Sequence, residues 1–406
     1  MATFFLIIIY MAFISLGLPD SLLGSAWPVM QGQLGASIDT AGAISMAIAG
    51  CTIFSSLFSG VVIQRFGTGL VTLVSVALTA GALLGFSHSP SVFWLILCSI
   101  PLGLGAGAVD AGLNSYVAAH YKAHHMSWLH CFWGVGATLG PIIMARYIDA
   151  GNAWRDGYLA ISGIQGALVL LLFLTLPLWR KVHATAGHPV ENERVPAQEA
   201  GGAESPVKRK GLKWSLMSFL FYCGAEATVG LWGSSYLVHV KDMDAAAAAQ
   251  WVSLYYAGIT VGRFITGFVT FKVSNKTLIR TGQWFAVAGA LLVLLPLPAP
   301  LLLTGFIMIG LGLAPIFPCM LHETPVRFGQ ERSQKIMGYQ MALAYTGSTL
   351  LPPLLGWLAA QTTIGIFPFF VAGYILFMLA ASERINAMMA SFRKTLQPER
   401  VSEKVS

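Results

Sequence analysis

The sequence has 406 residues, of which 56% are hydrophobic and only 10% charged, with a mean hydropathy of +0.69. A soluble domain carries roughly 25% charged residues, so this composition excludes a soluble globular protein. The net charge of +7 by itself would fit a nucleic-acid partner. Apolar runs of about 20 residues, each long enough to cross a bilayer, recur along nearly the whole chain. We therefore interpret the chain as an all-α integral membrane protein.

The apolar runs predict twelve transmembrane helices with short connections. They lie near residues 4–29, 38–62, 69–87, 92–119, 127–147, 157–179, 213–238, 250–271, 277–296, 299–321, 334–360 and 363–386. Most Lys and Arg outside these spans then fall on one side, and the other side keeps only Arg146, Arg155 and Lys241. This asymmetry places both termini in the cytoplasm. It also accounts for the positive charge without a nucleic-acid partner.

The first span carries an acid within its apolar sequence. Asp20 follows Pro19, and a proline is tolerated inside a span where the helix lines a cavity. A second interpretation makes Asp20 the N-cap of a short interfacial helix. Trp27 lies further along the same span. The start of the span lacks a basic region and a cleavage site, so we predict that it is retained.

The fourth span holds the acid with the strongest functional signal. Asp110 lies within an apolar, glycine-rich run, and Asn114 follows it by one helical turn on the same face. A carboxylate at such a depth costs about 2.5–3.5 kcal/mol on insertion scales. Its presence favours a protonatable group on a transport path, and the alternative is a structural polar group bonded to a neighbouring helix.

The fifth span begins with a histidine and a tryptophan whose roles stay open. His130 lies near the cytoplasmic end, where it serves either as a hydrogen-bonded structural group or as a proton carrier. Trp133 either stacks on a ligand ring or packs between helices. The five cysteines all lie in apolar runs without metal-ligand spacing, so we expect neither a metal site nor a cofactor.

A polar stretch at 183–212 divides the chain into two similar halves. It predicts a cytoplasmic linker between bundles at 1–182 and 213–390, followed by a cytoplasmic tail at 391–406. Three features repeat between the halves at offsets of 206, 207 and 211: Asp20 with Glu226, Gly103 with Gly310, and the segment at 136–141 with that at 347–352. Two such halves predict a transporter with its site near the midplane.

The second half supplies further candidate side chains. Glu226 lies mid-span, and Trp232 closes the same span as Trp27 does in the first half. Arg263 is the base embedded in a span, in the cytoplasmic half of its helix, where it could snorkel to the surface, which favours a role in gating or structure over substrate binding. Tyr345 joins the three tryptophans Trp27, Trp133 and Trp232 as a candidate for stacking on a solute.

Gly60, Gln64, Arg65 and Gly67 follow the second span with the spacing of a known signature loop. In this loop and in its twelve spans the chain resembles the major facilitator superfamily, with Gln64 where an aspartate is usual. The segments around Asp20, Asp110 and Asn114 are similar to fucose-permease-like sugar:proton symporters. The resemblance implies gating by the loop, proton coupling at Asp20 and Asp110, and a fold of two pseudo-symmetric six-helix bundles.

The expected function is that of a secondary transporter, not an enzyme. Proton-coupled uptake of a small neutral solute, such as a monosaccharide, would use Asn114, Glu226, His130 and the aromatic candidates as solute contacts. The expected setting is a monomer in a bacterial inner membrane. Two alternatives remain open. One is proton-antiport efflux of hydrophobic compounds, because the segment at 136–141 resembles half of an antiporter motif. The other is a membrane sensor that transports nothing.

Overall fold

The computed structural model of the chain describes residues 2–121, 123–150, 154–185 and 206–402, and the regular structure in these ranges is entirely helical. The first half contains α1 (Ala2–Asp20), α2 (Leu22–Leu34), α3 (Thr40–Phe66), α4 (Thr68–Ser87), α5 (Val92–His120), α6 (Ala123–Asp149) and α7 (Trp154–Thr185). The second half contains α8 (Pro206–Lys241), α9 (Ala245–Val269), α10 (Asn275–Leu294), α11 (Ala299–Leu313), α12 (Ile316–Phe328), α13 (Gln330–Gln361), a 3-10 turn at Ile364–Ile366 and α14 (Phe367–Ser402).

These fourteen α-helices form the twelve predicted spans, because two spans are broken into two helices each. Within the described residues, ten spans are apolar and long enough to cross a membrane, with the broken ones counted as Phe5–Leu34 and Ala299–Phe328. The other two, α8 and α13, are interrupted by polar residues such as Glu226 and Gln340. The predicted twelve-helix, two-bundle architecture is thus confirmed.

The first span breaks where the sequence places a proline before an acid. Pro19 has no N–H, so the carbonyl of Ser15 loses its helical donor. The side-chain amide of Gln165 on α7 donates to this carbonyl at 2.8 Å. The structure also corrects the idea that Asp20 caps an interfacial helix, because α2 begins at Leu22 with Ser21 as its N-cap residue. The break leaves Asp20 at the end of α1, in the middle of the span.

The sequence predicts a loop from Gly60 to Gly67, but most of this segment is helical in the structure. Residues from Gly60 to Phe66 are helical, and the turn between α3 and α4 is the single residue Gly67. Gly67 has φ +80°, a value that glycine adopts without strain. The middle of the predicted linker, 186–205, lies outside the described residues, whereas α14 extends to Ser402, into the predicted tail.

The two ends of the bundles differ in charge. We call the end with the turns at Gly67, 270–274 and Gly329 the basic face, because it carries Arg65 and Lys272. The other end, with the turns at 35–39, 242–244 and 295–298, is the opposite face.

The two halves pack against each other from the middle of the bundle towards the opposite face. A Cβ atom added to Gly24 would lie 2.1 Å from the carbonyl oxygen of Gly230, and one added to Gly42 would lie 2.9 Å from the Cα of Pro353. Both contacts join the first half to the second. Only glycine permits such approach between the backbones of two helices.

Towards the basic face each half has an apolar core of its own. In the first half, Phe5, Ile9, Val117 and Trp179 belong to a cluster built from α1, α4, α5, α6 and α7. In the second half, the cluster around Phe328 and Ile336 is drawn from α8, α12, α13 and α14. The halves therefore meet at the opposite face and separate towards the basic face.

Candidate functional site

Asp20 is exposed although it lies in the middle of a membrane span. Its carboxylate accepts a hydrogen bond of 2.7 Å from the indole Nε1–H of Trp133 on α6. An exposed acid at this depth requires a water-filled space, because hydrocarbon would penalise the charge. We call the gap between the halves, lined by Asp20, Asp110, Trp133, Glu226 and Arg263, the central cavity.

Trp133 connects the two halves across this cavity. The guanidinium carbon of Arg263, on α9, lies 5.3 Å from the centre of the Trp133 ring. Tyr256, also on α9, meets the same ring edge-on at 6.5 Å. The neighbouring Gly134 makes this approach possible, because a Cβ there would lie 2.4 Å from the Oγ1 of Thr260. Trp133 thus lines the cavity, as its predicted role in stacking on a ligand requires.

Arg263 points into the protein and does not snorkel, which corrects the sequence-based expectation. Its Nη2 atom lies 3.4 Å from Oε1 of Glu226 on α8, and their side chains are only 15% and 16% exposed. The same nitrogen donates to the hydroxyl of Tyr222 at 3.4 Å. The opposite charge of Glu226 removes the need to reach the membrane surface.

Sequence reasoning missed two tyrosines that hold this ion pair. Tyr222 precedes Glu226 by one helical turn, so the spacing could have revealed that they share a face. Tyr255 donates from its hydroxyl to the backbone carbonyl of Glu226 at 3.1 Å. No sequence signal indicates this second contact, because it depends on how α8 packs against α9.

Asp110 and Asn114 form the pair predicted from their spacing. The Asn114 amide donates to the Asp110 carboxylate at 2.8 Å, and both side chains are half-buried. The Oδ1 atom of Asn114 is buried and has no hydrogen-bond partner among the described residues. Asp110 interacts electrostatically with Asp20 and with Tyr345 on α13 of the second half. Asp110 therefore shares the cavity with Asp20.

His130 also belongs to this site. It precedes Trp133 by three residues on α6, so both side chains lie on one helical face. Its exposed ring interacts electrostatically with Arg263 and meets Phe13 edge-on at 6.1 Å. The structure thus brings together Asp20, Asp110, Asn114, His130, Trp133, Glu226, Arg263 and Tyr345 from the predicted set.

Trp27 and Trp232 lie elsewhere, fully buried in the apolar core that joins the halves. The indole of Trp232 donates to the carbonyl of Pro352 at 2.8 Å and packs against Gly356. A stacking role would need a ring face open to the cavity. Their observed environment is that of packing residues, and the structure does not bring them to the site.

The predicted gating residues Gly60, Arg65 and Gly67 lie at the basic face, away from the cavity network. The Arg65 guanidinium carbon is 5.5 Å from the ring centre of its neighbour Phe66. Gly60 has open space around its Cα. These residues border the face at which the halves separate, and their gating role stays a prediction.

The charges of the cavity are not balanced when every acid is ionised. Arg263 compensates Glu226, whereas Asp20 and Asp110 form no ion pair within the described ranges. Full ionisation of the three acids therefore leaves the cavity with an excess of negative charge.

Comparison with known proteins agrees with this architecture. The sequence model of the Major Facilitator Superfamily matches residues 9–352. The glucose/mannose transporter GlcP of Bacillus subtilis (strain 168) is 25% identical over 331 residues, which cover 77% of this chain and 80% of that protein. A putative glucose/galactose transporter of Helicobacter pylori (strain J99 / ATCC 700824) is 23% identical over 309 residues, covering 73% of this chain and 74% of the relative.

Solved structures show the same fold. The crystal structure of a mutant of the nucleoside transporter NupG superposes with a TM-score of 0.71 at 14% identity, covering 94% of this chain and 98% of that one. A bacterial homologue of the human lysosomal transporter Spinster, in an inward-facing and occupied conformation, gives a TM-score of 0.68 at 12% identity and covers 97% and 98%. With two six-helix halves around a central cavity and a sequence match over most of its length, the chain belongs to the Major Facilitator Superfamily.

Proposed function

We propose that this transporter couples the uptake of a small neutral solute, a monosaccharide, to protons. The observation that carries the proposal is the pair of carboxylates without counter-ions, Asp20 and Asp110, on the wall of the central cavity. The cavity carries a net charge of −2 when Asp20, Asp110 and Glu226 are ionised and Arg263 is protonated. Protonation of both aspartates removes this charge.

Neutralisation has a direct consequence for alternating access. Closing the cavity around an uncompensated charge is costly, because the charge leaves water for a site of low dielectric. A cavity that holds a neutral solute and two protonated aspartates avoids this cost. We therefore assign proton coupling to Asp20 and Asp110, as the sequence predicted.

The wall of the cavity offers groups suited to a sugar. The half-buried side-chain amide of Asn114, next to Asp110, can hydrogen-bond a solute hydroxyl. Trp133 and Tyr345 present aromatic surface from opposite halves, which suits the apolar face of a sugar ring. Glu226 is less available than the sequence indicated, because Arg263 already holds its carboxylate. The names of the two relatives above support the same solute class.

We assign the basic face to the cytoplasm of a bacterial inner membrane, because Lys and Arg concentrate on cytoplasmic loops. Both termini then lie inside, and the cavity is open to the cytoplasm. The conformation corresponds to the state in which a solute taken up from outside is released. We further propose that one chain, acting as a monomer, contains the complete site.

Uptake into proteoliposomes tests this proposal. We expect at least one labelled monosaccharide in a panel of hexoses and pentoses to accumulate when the medium is more acidic than the lumen. Without the gradient, the same sugar should only equilibrate. The panel also contains a nucleoside, an organic anion and a hydrophobic cation. Accumulation of one of these in place of every sugar would contradict the proposed solute class.

A further inference from the structure

Trp133 contacts a carboxylate of its own half and a cation of the other half at the same time. Its ring edge donates to Asp20 at 2.7 Å, and its ring face lies 5.3 Å from the Arg263 guanidinium carbon. The edge of an indole is electropositive and its face electronegative, so each contact has the favourable polarity. One side chain therefore connects the charge of Asp20 to that of Arg263.

The contact between Arg263 and Glu226 is longer than a typical charge-assisted hydrogen bond. Charge-assisted N–H···O bonds usually measure about 2.7–2.9 Å, whereas the nitrogen of Arg263 lies 3.4 Å from both Glu226 and Tyr222. The guanidinium thus has room to approach either Glu226 or the Trp133 ring more closely. Its position lies between a carboxylate of the second half and a tryptophan bound to a carboxylate of the first.

We propose that Arg263 is a counter-ion shared between the halves, drawn towards Trp133 when Asp20 is ionised and towards Glu226 when Asp20 carries a proton. This inference rests on the proposed binding of a proton at Asp20. Trp133 and Arg263 are then positioning residues that let the second half respond to a proton bound in the first. The only chemical change is the gain or loss of that proton by a carboxylate oxygen of Asp20.

The physical reason is the difference between the two states of the Asp20 side chain. An ionised carboxylate accepts a stronger hydrogen bond from the indole than a neutral acid does. Neighbouring hydrogen bonds polarise one another, so the ring face becomes more attractive to the mostly buried Arg263. A proton on Asp20 removes both effects, and the charge of Glu226 then determines where the guanidinium lies.

Within the described ranges, few other titratable groups face Asp20 and Arg263. Asp20 interacts electrostatically with Asp110 on α5 and Tyr256 on α9. Besides Glu226 and Tyr222, Arg263 interacts with His130 and Cys131 on α6, Cys223 on α8 and Tyr255 on α9. The tyrosines and cysteines are neutral near pH 7, so Asp110 and His130 are the groups whose titration the test must separate.

Infrared spectroscopy of the purified protein in lipid nanodiscs tests the inference without any solute. The carbonyl stretch of protonated Asp20 is identified as the band that Asp20→Asn removes and that Asp110→Asn and His130→Gln retain. We expect Trp133→Phe, which keeps a ring but loses the N–H donor, to raise the pH midpoint of this band by about one unit, roughly tenfold in proton affinity. Trp284→Phe makes the same change at a lipid-facing, 57% exposed position and should leave the midpoint unchanged.

The shared counter-ion is tested by neutralising Glu226 in two backgrounds. Glu226→Gln releases Arg263 towards Trp133, which favours ionised Asp20, so the midpoint should fall by roughly half a unit or more. In the Arg263→Gln background, Glu226→Gln should shift the midpoint by less than about half of the shift that it causes in the otherwise wild-type protein. Should Arg263→Gln not yield folded protein, Trp133→Leu, which removes the ring between the charges, provides the second background with the same expectation.

Two results would overturn the inference. The first is that Trp133→Phe does not change the pH midpoint of the Asp20 band. The second is that Glu226→Gln shifts this midpoint equally in both backgrounds, as direct repulsion between the carboxylates of Asp20 and Glu226 would. Neither result depends on which solute is carried. A failure of sugar uptake would therefore refute the proposed function and leave this test unaffected, whereas an Asp20 band that does not titrate would contradict the inference itself.

Discussion

Asp110→Asn is expected to abolish solute accumulation driven by a pH gradient while leaving the protein folded and inserted. The substitution removes the titrating group and preserves the size of the side chain. One pH unit is worth about 1.4 kcal/mol per proton, which supports about tenfold accumulation for each proton carried with the solute. Uptake assays in proteoliposomes should show this accumulation for the wild type and simple equilibration for Asp110→Asn.

Asp39→Asn provides the matched control, because Asp39 precedes α3 at the opposite face, outside the cavity. It should accumulate solute as the wild type does. Exchange of labelled for unlabelled solute, which needs no net proton movement, should persist in Asp110→Asn. If Asp110→Asn accumulates solute to the wild-type level, the pair that Asp110 forms with Asn114 is structural and the assignment of Asp110 fails.

Gly24→Leu is expected to stop transport by preventing closure of the opposite face. A Cβ at this position would lie 2.1 Å from the Gly230 carbonyl oxygen and 2.8 Å from the Leu231 Cα, both in the second half. Overpacking typically costs about 1–3 kcal/mol, which changes a two-state ratio by about 5- to 150-fold. The population should therefore shift towards a state in which α2 and α8 separate.

Spin labels at Ser37 and Thr362, introduced after replacement of the five native cysteines, report on the opposite face. Gly24→Leu should lengthen the distance between them relative to the wild type. Gly32→Leu makes the same change on the same helix, where nothing lies within 4 Å of an added Cβ, and should leave the distance unchanged. Equal distances in all three proteins would show that this glycine contact does not control closure.

The architecture was predictable because the bilayer imposes it. Each span needs about 20 predominantly apolar residues, and these runs and the distribution of positive charge are visible in the chain itself. The two breaks were harder to foresee, although each has a proline close by. A proline such as Pro19 or Pro315 can either bend a helix or divide it. The outcome depends on which group donates a hydrogen bond to the backbone carbonyl that the proline leaves without a donor. For Pro19 that partner is Gln165, 150 positions from Ser15.

The site was predictable only where its members share a helix. Asp110 and Asn114 lie one turn apart, so their contact follows from helical geometry. The bonds from Trp133 to Asp20 and from Arg263 to Glu226 join residues on different helices, and packing alone determines them. The same limit explains the tryptophans. Trp27 and Trp232 are of the residue type that stacks on sugars, but the close contact between α2 and α8 buries them.

The measurement that tests the central claim most directly is the movement of protons during solute entry. A gradient of the transported solute is imposed on lightly buffered proteoliposomes that contain a trapped pH dye. We predict that solute entry acidifies the lumen for the wild type, and that Asp20→Asn and Asp110→Asn abolish this change. Solute entry without a pH change, or with alkalinisation of the lumen as antiport requires, would contradict proton-coupled uptake through the two aspartates.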